Sequence, residues 1–412
     1  MGRRGHSIVV GLDIGTTKVC AIVGEVQRDA AVHILGVGSA PSRGLKKGVV
    51  VNIDSTVESI RRAIDEAQHM AGVNITSAYV GIAGGHITGI NSTGIVAVKG
   101  QEITLREINQ VIDAARAVSL PMDREVIHVL PQEYIVDDQA GIIDPLGLEG
   151  RRLEAKVHIV TAAVTSAHNI VKCVNRAGIE VEDIVLEQLA SGEATLTAEE
   201  RELGAVVIDI GGGTTDIALL AGNSVKHTAV LAVGGNHITS DLAYGLNLLA
   251  PEAERLKIAH GCAYSTLLDY ETAVEVRGAG ERYPRKLPCK ELCNIIEPRV
   301  EEMLEMARRE IMRSTYAEHV SAGIILTGGT ALLRGIVELA ETVFRLPVRC
   351  GAPAGITGQV EMVNTPMYAT GVGLVQYGIK QQTYGRFHKF NDEHLFGRVY
   401  HRMRDWFGEF FT

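Results

Sequence analysis

Ile208-Asp209-Ile210-Gly211-Gly212-Gly213-Thr214-Thr215-Asp216 lies between two apolar runs, Ala205-Val206-Val207 before it and Ile217-Ala218-Leu219-Leu220 after it. Strand, glycine turn, strand is the pattern of a β-hairpin. A shorter cognate, Leu12-Asp13-Ile14-Gly15-Thr16-Thr17-Lys18, sits between Ile8-Val9-Val10 and Val19-Cys20-Ala21-Ile22-Val23. Two such hairpins at domain spacing point to two related domains, each opening on the same element.

The residue types suit a phosphate. Glycine lets backbone N–H groups approach an anion with no Cβ in the way, and a row of such groups makes an anion-binding concavity. The hydroxyls of Thr16, Thr17, Thr214 and Thr215 and the ammonium of Lys18 add donors. Asp13 and Asp209 end their strands just before each turn, where two carboxylates can hold Mg²⁺ through its waters. A third turn, Ile324-Ile325-Leu326-Thr327-Gly328-Gly329, ends an apolar strand ahead of a helix expected over Leu332 to Phe344. In this order the three stretches resemble the phosphate-1, phosphate-2 and adenosine motifs of the actin, heat-shock-chaperone and sugar-kinase ATPases. That resemblance implies an α/β fold of two domains around an ATP cleft. The sequence has no Gly-Lys pair, hence no Walker A loop, and no G-x-G-x-x-G.

Composition narrows the class. The 412 residues are 46% hydrophobic, enough for two to four domains with sizeable cores. A net charge of −9 argues against general nucleic-acid binding. Of six cysteines only Cys289 and Cys293 are close, and with no second pair nearby they read as free thiols rather than a zinc site. The N-terminal apolar run is interrupted by Asp13, so it is not a signal-peptide core, and His6 stands where myristoylation wants Ser or Thr. No apolar run reaches the ~18 residues of a spanning helix. These features predict a cytoplasmic protein whose membrane contact comes from a surface segment.

Residues 1–84 read as the first part of domain I, with a helix over 54–70 capped by Asp54. Residues 85–164 read as an insert of strand-helix-strand-strand form. Its short strands are expected at 87–91 and 94–98, its helix opens on the capping box Thr104-Leu105-Arg106-Glu107, and further strands follow at 126–136 and 153–164. Residues 165–198 return to domain I, with a helix capped by Thr165 or Ser166 and a second from Glu187 to about Glu199. Residues 199–230 open domain II, 231–304 form its smaller part, and 305–358 complete its core around the third turn. A helix is expected from Ile295 to about Glu318, and residues 359–380 close domain I with a small-residue helix. Gly234-Gly235 turns into a helix, and Glu254 and Lys257 stand at i, i+3, which alone would be a solvated ion pair worth about 0.3 kcal/mol.

Residues 381–393 are polar, lack a period and read as a linker. Beyond it Leu395, Phe396, Val399, Met403, Trp406, Phe407, Phe410 and Phe411 recur at three- and four-residue steps, one apolar face of a helix over 394–412. Such a period also suits a helix docked on its own core. Bulky aromatics opposite Arg398, Arg402 and Arg404, on a tether, favour a helix lying in a membrane interface. From Lys380 onward six Lys and Arg face four Asp and Glu, so anionic lipid attracts this tail while the body is repelled.

With this tail and the insert in view, the whole chain resembles the FtsA family of bacterial cell-division proteins. Supporting runs include Ser240-Asp241-Leu242-Ala243, Ala253-Glu254-Arg255-Leu256-Lys257, His260-Gly261-Cys262-Ala263, Ile296-Glu297-Pro298-Arg299 and Arg349-Cys350-Gly351-Ala352-Pro353. The resemblance implies that Gly15, Thr16, Thr17, Lys18, Gly211, Gly212, Gly213, Thr214 and Thr215 bind phosphates of ATP, with Mg²⁺ at Asp13 and Asp209. It implies that Gly234, Gly235, Glu254, Lys257, Gly328 and Gly329 face the ribose and adenine. It places the FtsZ C-terminal tail on the smaller part of domain II, at Arg285, Arg299 and Glu302, and later division proteins on the insert. It further implies filaments on the inner face of the cytoplasmic membrane at the division site. Hydrolysis, slow at most, would use Glu187 or Gln188 to orient water; the sequence leaves that choice open. A pilus-assembly type of actin-like scaffold is the nearest alternative. A sugar kinase lacks a reason for the aromatic tail, and a chaperone would need a longer C-terminal region.

Overall fold

The computed structural model describes residues 8–26, 31–268, 273–278 and 283–384. Two open sheets share one plan. In domain I the order is Glu180–Leu186, Ser77–Ile82, Ile8–Ile14, Lys18–Val26, Val32–Pro41, Ile356–Gly358. In domain II it is Ser224–Leu231, Thr215–Ala221, Ala205–Ile210, Gly323–Thr327, Val348–Cys350. Each contains an antiparallel three-strand meander whose first strand also pairs in parallel with a later one: Gly11 opposite Tyr79 in one, Ala205 opposite Gly323 in the other. Strands buried on both faces read as continuous apolar runs, and Ala205–Ile210 and Thr215–Ala221 are buried throughout. The repeated hairpins therefore mark a structural duplication. Ile356–Gly358 pairs with Val32–Pro41, so the chain re-enters domain I before residue 358 rather than after it.

The insert is a sheet in the order Thr88–Ala97, Arg152–Ala163, Arg124–Val136, Gln139–Ile142, covered by the helix Leu105–Arg116. Ile108, Val111 and Ala115 of that helix pack on Leu153, Ala155 and Val157. Its first strand is continuous, not two short pieces, because its whole length pairs with Arg152–Ala163. The strand Gln139–Ile142 was missed, being only a short return of a hairpin.

Several boundaries move for local reasons. Asn52, not Asp54, caps the helix Ile53–Ala71, accepting from the Ser55 N–H at 2.9 Å, while Asp54 pairs with Arg176 at 2.8 Å. The helix Val164–Arg176 starts directly off a strand with no side-chain cap. The expected helix to Glu199 breaks after Thr195, and Thr197 caps a new one over Ala198–Leu203. The long helix spans Cys289–Met312 instead of Ile295 to Glu318, and Pro298 lies inside it. A 3₁₀ turn takes Gly329–Leu332, so the next helix is Ile336–Phe344. Gln381–Tyr384 belong to the closing helix Ala369–Tyr384, not to a linker. The aromatic tail, residues 394–412, lies outside the described residues.

Two helices join the domains. Glu187–Thr195 and Ala369–Tyr384 cross where Gly373 sits against the Ala190 backbone, so closely that a Cβ there would strike the Ala190 carbonyl. The insert in turn rests on the outer strand of domain II. Gln132 Nε2 donates to the Val225 carbonyl at 2.9 Å, and buried His158 bridges Asn91 and Thr228 at 2.6 and 2.8 Å. Among the described residues no helix is long and apolar enough to cross a membrane.

Candidate functional site

The two hairpin tips face each other across a cleft. Asp13, Gly15, Thr16, Thr17 and Lys18 line one wall, and Asp209, Gly211, Gly212, Gly213, Thr214 and Asp216 the other, of a cavity of about 540 Å³. That volume is within the range of small-molecule sites. A Cβ on Gly212 would collide with Thr17 Oγ1, so the tips meet only because glycine stands there. Within each hairpin the turn closes on itself: Gly15 N–H donates to the Lys18 carbonyl and Gly211 N–H to the Thr214 carbonyl, both at 3.0 Å. Lys18 Nζ donates to the Met367 carbonyl at 2.8 Å and lies 3.7 Å from the Tyr368 ring centre.

The third turn closes the same cavity. Gly328, Gly329 and Thr330 line it, with Gly235, Asn236, Glu254 and Lys257 opposite. Gly328 has φ +84°, and any Cβ would press on Asp209 Oδ1. Glu254 and Lys257 are not a solvated pair. Lys257 Nζ meets Glu254 at 2.7 Å, the Thr239 hydroxyl at 2.9 Å and the Gly235 carbonyl at 3.1 Å, and its side chain is only 11% exposed. Ile258, Leu268, Leu332 and Leu333 add apolar lining.

Four carboxylates of the lining stand close enough to repel one another: Asp13, Glu187, Asp209 and Asp216. Burial, opposed by Lys18 and reinforced by Asp209, pushes Asp13 up to about 6. Burial raises Glu187 well above the ordinary range, with Asp13, Asp216 and Asp209 adding to it. Asp216 is raised by burial and by Asp209. Asp209 is raised by burial, and the hydroxyls of Ser191 and Thr370 oppose that. Buried acids that repel one another have a use for a divalent cation; among the described residues no three His, Cys, Asp or Glu side chains are grouped to hold a metal directly, so these acids suit Mg²⁺ only through its waters.

Three expected residues stand outside this cavity. Thr215 is buried and its hydroxyl donates to the Val233 carbonyl at 2.9 Å. Gly234 packs on the Gly211 and Gly212 backbones and caps the helix Gly235–Gly245. Gln188 is fully buried and turns to the Ala229 carbonyl at 3.3 Å, leaving Glu187 alone of the pair in the cleft. Asp216 was not anticipated. It follows Asp209 across the hairpin in direct register, which the strand pairing alone reveals. Ser191, Asn236, Thr330 and Thr370 were also missed, as isolated polar residues without a motif.

Residues 84–161 match the family model "SHS2 domain inserted in FTSA", and residues 206–373 match "Cell division protein FtsA". A cell division protein FtsA of Pseudomonas aeruginosa is 50% identical over 378 residues, which are 92% of this chain and 91% of that one. The chain belongs to the FtsA family of cell division proteins. Solved structures agree on the fold. The PilM-PilN type IV pilus biogenesis complex superposes with TM-score 0.65 at 18% identity, covering 91% of this chain and 99% of that one. MreB 5 of Spiroplasma citri bound to AMPPNP gives 0.56 at 16%, covering 92% and 97%. These establish the actin-like α/β architecture, and the family models place the insert within it.

The three residues expected from the sequence to hold a peptide, Arg285, Arg299 and Glu302, also stand outside the cavity. Arg299, on the helix Cys289–Met312, pairs with Asp241 and with Glu302 one turn on. Arg285 Nη2 donates to the Leu246 carbonyl at 3.1 Å. Asp241 lies on the helix Gly235–Gly245 and Leu246 caps its end, and Tyr244 between them is 93% exposed.

Proposed function

We propose that this member of the FtsA family binds Mg²⁺ and ATP between its hairpins and acts as a nucleotide-dependent adaptor in cell division. One observation carries the reading: three glycine turns, from three separate parts of the chain, converge on one cavity lined also by mutually repelling acids and by aliphatic side chains. Backbone N–H groups of 16–18 and 212–214 would hold the phosphates. Asp13 and Asp209 would hold Mg²⁺ through water, and Glu254 and Lys257 would meet the ribose. The bound cation would supply charge neutralisation at the phosphates. Glu187 would orient water for a slow hydrolysis that switches the protein between states.

The adaptor role follows from the ends of the chain. The tail 394–412 would lie in the cytoplasmic face of the membrane, the face bearing Arg285, Arg299 and Glu302 would hold the FtsZ tail, and the insert would receive later division proteins. Self-association into filaments would make one weakly bound helix firm through avidity. Co-flotation tests this. Full-length protein is mixed with anionic liposomes, ATP and an FtsZ tail peptide, beside protein lacking residues 394–412. Tail-dependent flotation that carries the peptide supports the tether. Flotation without the peptide would leave a membrane scaffold with another client, and no flotation would remove the membrane role.

A further inference from the structure

The Asp209 carboxylate has two sides with different duties. Its Oδ1 faces Gly328 at the cleft. Its Oδ2 is held from behind by two hydroxyls, Ser191 Oγ and Thr370 Oγ1, the latter at 2.9 Å. The two hydroxyl oxygens are themselves 3.0 Å apart. All three side chains are buried. A hydroxyl carries one proton, and donation of both to Oδ2 leaves the carboxylate charged and pinned in one rotamer.

The three residues come from three different elements. Asp209 ends the strand Ala205–Ile210 in domain II, Ser191 lies on the helix Glu187–Thr195, and Thr370 opens the helix Ala369–Tyr384. These are the two helices that cross between the domains. Ser191 stands one turn from Glu187, whose carbonyl its hydroxyl also approaches at 3.0 Å. The clasp therefore joins the acids of the cleft to the crossing point itself.

We infer that Ser191 and Thr370 are positioning residues that aim Asp209 at a bound divalent cation and tie that cation's arrival to the two crossing helices. The inference rests on the Mg²⁺-nucleotide reading of the cleft. Partners that hydrogen-bond a ligating carboxylate orient it, and losing one costs about tenfold or more in metal affinity. A free cleft leaves Asp209 held by the helices alone. A cation drawing on the same carboxylate stiffens that link.

The test uses the full chain and three variants, Ser191→Ala, Thr370→Val and Thr370→Ser. ATP affinity is measured with Mg²⁺ and with EDTA, and hydrogen exchange is followed in the helices Glu187–Thr195 and Ala369–Tyr384. Ser191→Ala and Thr370→Val are expected to weaken binding about tenfold with Mg²⁺ and to leave binding in EDTA within about twofold. Thr370→Ser, which keeps the hydroxyl, restores the Mg²⁺ response. Exchange in both helices slows on adding Mg²⁺ and ATP to the parent chain, but not in the two hydroxyl-less variants. Equal losses with and without Mg²⁺, or no rescue by Thr370→Ser, would mark packing alone and overturn the inference. A parent chain that binds no ATP under either condition would instead remove the reading of the cleft, and the clasp's role with it.

Discussion

Asp13 shows how the cleft trades stability for charge. Its carboxyl titrates near 6 in the fold against 3.8 as a free side chain. A raised value means the folded state binds the extra proton, so the stability it contributes is present below about 3.8 and lost as pH rises through about 6. Asp13→Asn is therefore expected to raise the melting temperature of nucleotide-free protein at pH 7.5 by about 3 °C, with a smaller gain at pH 5, while Mg²⁺-dependent ATP binding is lost. Calorimetry across that pH range checks both parts, and an unchanged melting point at pH 7.5 would count against the strained-acid account. Gly328→Ala acts on the other hairpin's acid, Asp209, through sterics. A positive φ and a Cβ pressed on Asp209 should cost roughly 2 kcal/mol or more, readable as a lower urea midpoint. The three turns were legible because their glycines sit in a recognisable run. Asp216 and Ser191 were not, since neither is distinguished by its neighbours in sequence.

Among the elements, the tail is the part whose sequence is most informative. Its aromatic face predicts that Trp406→Glu with Phe407→Glu abolishes liposome flotation and leaves ATP affinity unchanged. Vesicles that still carry the variant would place the anchor elsewhere. Helix ends were harder to read than helices. Asn52 and Asp54 are both suitable caps by type, and only the backbone at Asn52, extended at φ −145°, distinguishes them. Gln188 and Glu187 are neighbours on one helix, so the choice of which faces the cleft belongs to that helix's rotation against the strand Ser224–Leu231. Gln188 is tied down there by Ala229.

At the scale of the whole molecule, the crossing helices and the seam between insert and domain II are two of the junctions among the described residues. The seam is polar and carries His158 with His227 close by, ring centres 6.5 Å apart. Burial, with His227 adding, lowers His158 to about 4. A lowered histidine contributes stability above its unfolded value of 6.5 and loses it as pH falls toward 4. Protection of the amides in the strand Thr88–Ala97, corrected for the intrinsic exchange rate at each pH, should accordingly fall between pH 6.5 and 5, and His158→Gln should flatten that dependence. Protection that stays constant in the parent chain would show that the seam does not respond to protonation.

By itself the sequence determined the duplicated hairpins, the third glycine turn, the insert and the aromatic tail. Each is a local pattern whose residues are contiguous, and local patterns express backbone freedom and periodic burial directly. Tertiary structure alone decided which side chains share the cleft. Asp13, Glu187, Asp209 and Asp216 are brought together by two sheets facing each other, and Ser191 and Thr370 meet through a helix crossing. Thr215 and Gly234 belong to glycine-rich runs yet serve the scaffold: Thr215 because alternate residues of a strand point to opposite faces, Gly234 because its backbone packs on Gly211 and Gly212 at the start of a helix. Neighbours in space come from distant parts of the chain, and no local spacing encodes them.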